Sequence, residues 1–202
     1  MQGSKLPCPK PLIPSPGKHL SIFLLLVAAL LASRIDHFAS IPDASWAVFF
    51  IGGFYLRNGR MFMLLFGQAV LLDYIATQHL GVSAYCLSPA YPFLLPAYAS
   101  LWLGGRLLAR HHTGLGTRTA GRLGVTLLAS VTLCFLLSDG SFYWLSGRHS
   151  EPSMAGWLSN AMRWYPHFLS APFLYVGLTA VVHCVLAQLN ERRPVSAATT
   201  TR

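Results

Sequence analysis

The run YCLSPAY, residues 85–91, sets a cysteine between two tyrosines in an uncharged connection between two long apolar stretches. The other cysteines, Cys8, Cys134 and Cys184, are far away in sequence, so Cys86 has no neighbour to make a disulfide. A thiolate is a soft metal ligand and a nucleophile. One cysteine cannot form a structural zinc site, which takes four ligands. It does suffice for one axial position on a metal already held in a macrocycle, as haem proteins show. The chemistry suggested by Cys86 is therefore coordination of a corrin or porphyrin metal. Asp73 lies upstream, Tyr85 and Tyr91 flank the cysteine, and His37 follows Asp36 earlier in the chain.

These residues need elements to hold them, and composition says which. Of 202 residues 53% are hydrophobic and 10% charged, against about 25% charged in a soluble domain. About 20 apolar residues cross a bilayer, and six candidate spans follow: 20–38, 44–56, 61–80, 91–108, 123–144 and 164–189. The expected fold is an all-α integral membrane protein with six transmembrane helices. A polar tail, 1–19, precedes the membrane domain, 20–189, and a second tail, 190–202, follows it. Residues 18–33 also have the pattern of a signal peptide; a retained first helix is expected, because the positively charged leader is long and rich in proline. Pro96 is expected to kink or unwind the start of the fourth span.

Of the 15 Lys and Arg, all but Arg34, Arg148 and Arg163 fall on one side of this arrangement. The positive-inside rule makes that side, and both termini, cytoplasmic. The net charge of +9 is thus a topology signal with some attraction to anionic lipid, and nucleic acid is not expected as a partner. Asp73 then lies about twelve residues into a helix entering from the cytoplasm, roughly 18 Å up. The end of the first helix (Asp36, His37), the 81–90 connection with Tyr85 and Cys86, and Tyr91 meet the same outer face. Phe142, Tyr143, Trp144, Trp157, Asn160, Trp164, Tyr165 and His167 join them, which predicts an outward-facing, aromatic-lined pocket. An acid at membrane depth is a functional candidate by default.

Plain structural roles stand beside these. Asp73 could cap a neighbouring backbone or pair with Arg34, His37 could be an interfacial residue, and Cys86 a structural thiol. Trp157 and Trp164 fit an interfacial aromatic belt better than a pocket. Cys134 and Cys184, in apolar helical runs, fit packing roles.

The six short helices, the small-residue first helix and the run LLDYIATQHLGVSAYCLSPAYPFLLP (residues 71–96) resemble the BtuM family of bacterial cobalamin transporters. That family looks like the substrate-binding S-components of energy-coupling factor transporters. The resemblance covers about residues 20–189 and is sharpest over 71–96. It implies uptake of cobalamin (vitamin B12) across the bacterial inner membrane, with Cys86 on the cobalt, Asp73 and Tyr91 around the site, and His37 as the nearest match to a family histidine. It also implies a partner surface: Ala28 and Ala32 make a small-xxx-small pair where S-components meet their coupling subunit, although the family commonly acts without that module. Thiolate coordination opposite a cyanide would labilise it, so decyanation of cyanocobalamin with an external thiol reductant is an expected side activity.

Three other functions are weighed against it. One keeps the fold and binds haem or another vitamin. A membrane thiol oxidoreductase would need a second outer cysteine for exchange. An intramembrane hydrolase would need Cys86 within reach of a base such as His37 or His167.

The topology makes a prediction. In intact cells a membrane-impermeant maleimide should label Cys86 when its pocket is empty, and Cys8 only after lysis. Labelling of Cys8 in intact cells would reverse the orientation.

Overall fold

The computed structural model describes residues 16–35, 43–79, 88–112, 114 and 116–191. Among them are six α-helices: α1 (Pro16–Ile35), α2 (Ser45–Tyr55), α3 (Gly59–His79), α4 (Leu94–Arg110), α5 (Thr117–Leu145) and α6 (Met154–Glu191), with a 3₁₀ turn at Tyr91–Phe93. No strand occurs among the described residues. Four helices are long and apolar enough to cross a membrane, namely α1, α3, α5 and α6. Their outward surfaces carry Leu24, Leu25, Leu64, Leu71, Val125, Leu174 and Leu178, all exposed. That exterior suits lipid, and the chain is a membrane protein.

The other two helices are shorter, about 16 Å for α2 and about 26 Å for α4 at 1.5 Å per residue, against a hydrocarbon core of about 30 Å. Helix α2, SWAVFFIGGFY, is apolar all round, the pattern of a helix covered on every side by protein. It is indeed the centre of the fold. Trp46 stacks on Phe168 of α6 at 5.2 Å between ring centroids, Phe49 on Tyr98 of α4 at 4.5 Å, and Phe49 meets Phe62 of α3 edge-on at 5.7 Å.

Two glycine pairs set how closely α2 and α4 approach. A Cβ on Gly53 would run into the carbonyl of Trp102, and one on Gly105 into the carbonyl of Phe50; at Gly52 it would lie 2.6 Å from the Trp102 ring. Small residues permit such backbone contact. Next along α4, a Cβ on Gly104 would collide with Ser130 of α5.

The turns are built by specific groups. Arg57 has φ 55°, in the left-handed region, and its guanidinium donates to the carbonyls of Phe54 (3.2 Å) and Ala109 (3.4 Å), closing the ends of α2 and α4. Asn58 starts α3, its side-chain oxygen accepting from the Arg60 amide at 2.9 Å.

Differences from the sequence reading lie at element boundaries. Helix α5 begins at Thr117 and α6 at Met154, before the apolar runs that announced them. Trp157 and Asn160 therefore stand on α6 rather than in a connection. Pro96 is the third residue of α4, where amides have no intrahelical acceptor, so it is accommodated; the 3₁₀ turn comes just before it. Ala28 and Ala32 are both exposed on α1.

Replacing Gly53 or Gly105 by Ala should destabilise the protein by roughly 1–3 kcal/mol through overpacking. Gly67→Ala, where a Cβ meets nothing within 4 Å, should be neutral or gain about 0.5–1 kcal/mol of helix propensity. Unfolding in mixed micelles measures all three; equal effects would mean that α2 and α4 do not meet through glycine.

Candidate functional site

A chain of polar groups joins α1, α2, α3, the 3₁₀ turn and α4. Its centre is Arg34, in the last turn of α1, where a cation is favoured by the helix dipole. Its side chain is 9% exposed. Nε donates to Ser45 Oγ (3.0 Å), Nη1 to the Ala69 carbonyl (3.1 Å) and Nη2 to the Tyr98 hydroxyl (2.9 Å). Nη1 also makes a salt bridge with Asp73 Oδ1.

Further links carry this chain to both sides. The Ser45 hydroxyl donates to Asp43 Oδ1 at 2.6 Å, and the Ser45 amide donates to the same oxygen at 2.9 Å. On the other side, Tyr91 Oη donates to Asp73 Oδ2 at 2.8 Å. Asp73 thus has one oxygen on Arg34 and one on Tyr91, and its side chain is 30% exposed. A buried guanidinium with every group around it hydrogen-bonded is the arrangement that makes an interior charge tolerable.

Of the expected site residues, the structure brings Asp73 and Tyr91 together. Tyr85, Cys86 and His37 lie outside the described residues, as do Asp36 and Cys8. The pairing of Asp73 with Arg34, one of the plain alternatives, is present. Two of the outer aromatics expected there stand on the exposed surface of α6. Trp164 is exposed on α6 with the Arg163 guanidinium 5.6 Å from its ring centroid, as suits an interfacial belt. His167 is exposed beside Trp164 and Phe168. Cys134 is fully buried and Cys184 half-buried, in keeping with packing roles.

Sequence reasoning passed over four polar residues. Asp43, Ser45 and Tyr98 belong to the Arg34 network. Asp139, near the end of α5, accepts from Trp157 Nε1 at 3.1 Å and from Asn160 Nδ2 at 3.4 Å, tying α5 to the first turns of α6. An acid at the end of an apolar run with a Trp and an Asn shortly after was the available signal.

A second cluster occupies the opposite end of the helices. Tyr55 Oη lies 2.8 Å from His183 Nδ1, and the His112 ring is 5.8 Å from that of His183. They border an apolar cavity of about 160 Å³ between α2, α4, α5 and α6. Burial, and then the nearby His183 and Arg57, hold His112 below the usual histidine range. No group of three or more His, Cys, Asp or Glu among the described residues is arranged to hold a free metal ion.

No protein-family model matches this chain, and no curated protein does.

The network predicts strong coupling between Arg34 and Asp73. Asp73→Leu should destabilise by about 3–5 kcal/mol, because it strands the buried Arg34 charge. Arg34→Leu should cost less, since Asp73 is 30% exposed and keeps the Tyr91 hydrogen bond. The double variant should be far more stable than the sum of the two losses. Simple additivity in a double-mutant cycle would show that the two charges do not act as a pair.

Proposed function

We propose that this protein binds cobalamin at the outer face of a bacterial inner membrane and moves it inward, as a six-span protein with cytoplasmic termini. The observation that supports this reading is the 2.8 Å hydrogen bond between Tyr91 and Asp73. These are the two described positions that the resemblance assigns to the site. They come from the two ends of the segment that carries Cys86: Asp73 from the last turns of α3, Tyr91 from the turn leading into α4. Their half-buried polar group offers a bulky, amide-rich ligand a fixed point of attachment.

In this reading Cys86 supplies the sulfur ligand to cobalt, displacing the vitamin's lower base. Tyr85 and His37 complete the surroundings. Asp73, whose oxygens already serve Arg34 and Tyr91, positions the tyrosine hydroxyl more than it contacts ligand. Electron donation from the thiolate weakens a cyanide bound opposite. An external thiol supplies the electron that takes cobalt(III) to cobalt(II), cyanide leaves as the free anion, and the oxidised thiol ends as disulfide. Inward movement uses either a coupling module on the Ala28/Ala32 face or trapping of the altered product.

The test is the absorption spectrum of the purified protein with bound cobalamin. Cys86→Ser should shift the corrin bands, stop decyanation and sharply reduce uptake, while Cys134→Ser and Cys184→Ser leave the spectrum unchanged. Identical spectra for wild type and Cys86→Ser would falsify sulfur coordination. A porphyrin spectrum from the protein as isolated would point to haem instead.

A further inference from the structure

Two voids flank the C-terminal half of α6. One is the apolar cavity of about 160 Å³ between α2, α4, α5 and α6; the other is a groove of about 890 Å³ bounded by α1, α2 and α6. Ile51 and Tyr55 of α2, and Thr179 and His183 of α6, line both. Residues four apart share a helix face, so each helix contributes one edge of two successive turns. The α2–α6 seam made by these four residues is the partition between the voids.

Across the seam, Tyr55 Oη lies 2.8 Å from His183 Nδ1. The Thr179 hydroxyl donates back to the Tyr175 carbonyl at 2.8 Å, within its own helix, and Ile51 has no polar side-chain group to offer it. The polar closure of the seam is therefore the Tyr55–His183 contact.

Packing differs on the two sides of Pro172. Before it, Phe168 stacks on Trp46 of α2 at 5.2 Å, and Tyr165 Oη is 2.6 Å from Thr132 Oγ1 of α5. After it, Val176 is buried, but Leu178, Val182 and Leu186 are exposed. Pro172 stands inside the helix. Proline has no amide to give the carbonyl four residues back, here that of Phe168, and helices bend at such points. Helix α6 thus has an anchored first part, a joint, and a second part with a void on either side.

We propose that residues 173–191 of α6 form a hinged gate, held shut by the Tyr55–His183 hydrogen bond. When that bond parts, the segment swings about Pro172 and joins the cavity to the groove. The Arg34 network, at the other end of the bundle, keeps its arrangement. This inference is independent of the cobalamin reading.

The test measures two distances by double electron–electron resonance on the full chain in lipid nanodiscs. Nitroxides are attached through ketone-bearing residues introduced at exposed positions, so the native cysteines stay. One pair, at Arg110 and Gln188, runs from the end of α4 to the gate; the other, at Leu95 and Met162, runs to the anchored part of α6. Tyr55→Phe keeps the ring and removes the hydroxyl. It should raise the ratio of long to short Arg110–Gln188 distances about two- to tenfold, with the Leu95–Met162 distance as in wild type. Adding Pro172→Ala, which restores the missing amide, should return the Arg110–Gln188 distribution toward wild type. An unchanged Arg110–Gln188 distribution in Tyr55→Phe overturns the proposal. So does an equal change at Leu95–Met162, since α6 would then loosen as a whole, and so does a long distance that persists with Pro172→Ala.

Discussion

A guanidinium withdrawn from water in a membrane protein must find its whole complement of acceptors in the protein, and Arg34 does so. Its four partners come from three other helices: the start of α2, two successive turns of α3, and α4. Each acceptor sits where it does because a helix end or helix face is aimed at that point. Ser45 can accept because its own hydroxyl hydrogen is donated to Asp43. Tyr98 is held by stacking on Phe49. The packing around α2 and the charge at the end of α1 are thus two descriptions of one constraint.

The same constraint alters what Asp73 can do. An isolated carboxylate at membrane depth would be an open acceptor for ligand or ion. Here it bridges a cation and a phenol, so the site holds a tyrosine oriented by an ion pair. The opposite end of the bundle is built differently, from neutral rings around a small apolar cavity, with Tyr55 and His183 as its polar contact. One end is organised by charge and the other by aromatic packing.

Much of this was legible in the residues, for physical reasons that vary by element. Long apolar runs are the strongest signal a membrane chain emits, and α1, α3 and α6 appear where they end or begin in hydropathy, apart from the early start of α6. That start was hidden because Trp157 and Asn160 read as loop residues, and their polarity is explained by Asp139 on the neighbouring helix. The beginning of α5, TRTAGR, is polar for the same kind of reason: a helix can continue past the apolar zone, where hydropathy no longer reports it. Asp73 and Tyr91 stood out because polar groups in apolar surroundings are few. Asp43, Ser45 and Tyr98 did not, since their roles exist only once α2 is known to be interior. The glycine pairs of α2 and α4 were visible in the sequence, but which pair met which helix depended on the crossing itself.

Backbone-to-backbone contact at Gly53 and Gly105 leaves no side chain at that crossing point to absorb a displacement. Side chains cushion most helix pairs, and a shift of an ångström is taken up by small torsional changes. Here the same shift would press carbonyls into Cα atoms, so α2 and α4 behave mechanically as one keel. Arg57, hydrogen-bonded to the last turns of both, fastens its lower end. Any rearrangement of the bundle must come from the helices outside this core, moving against a keel that stays fixed.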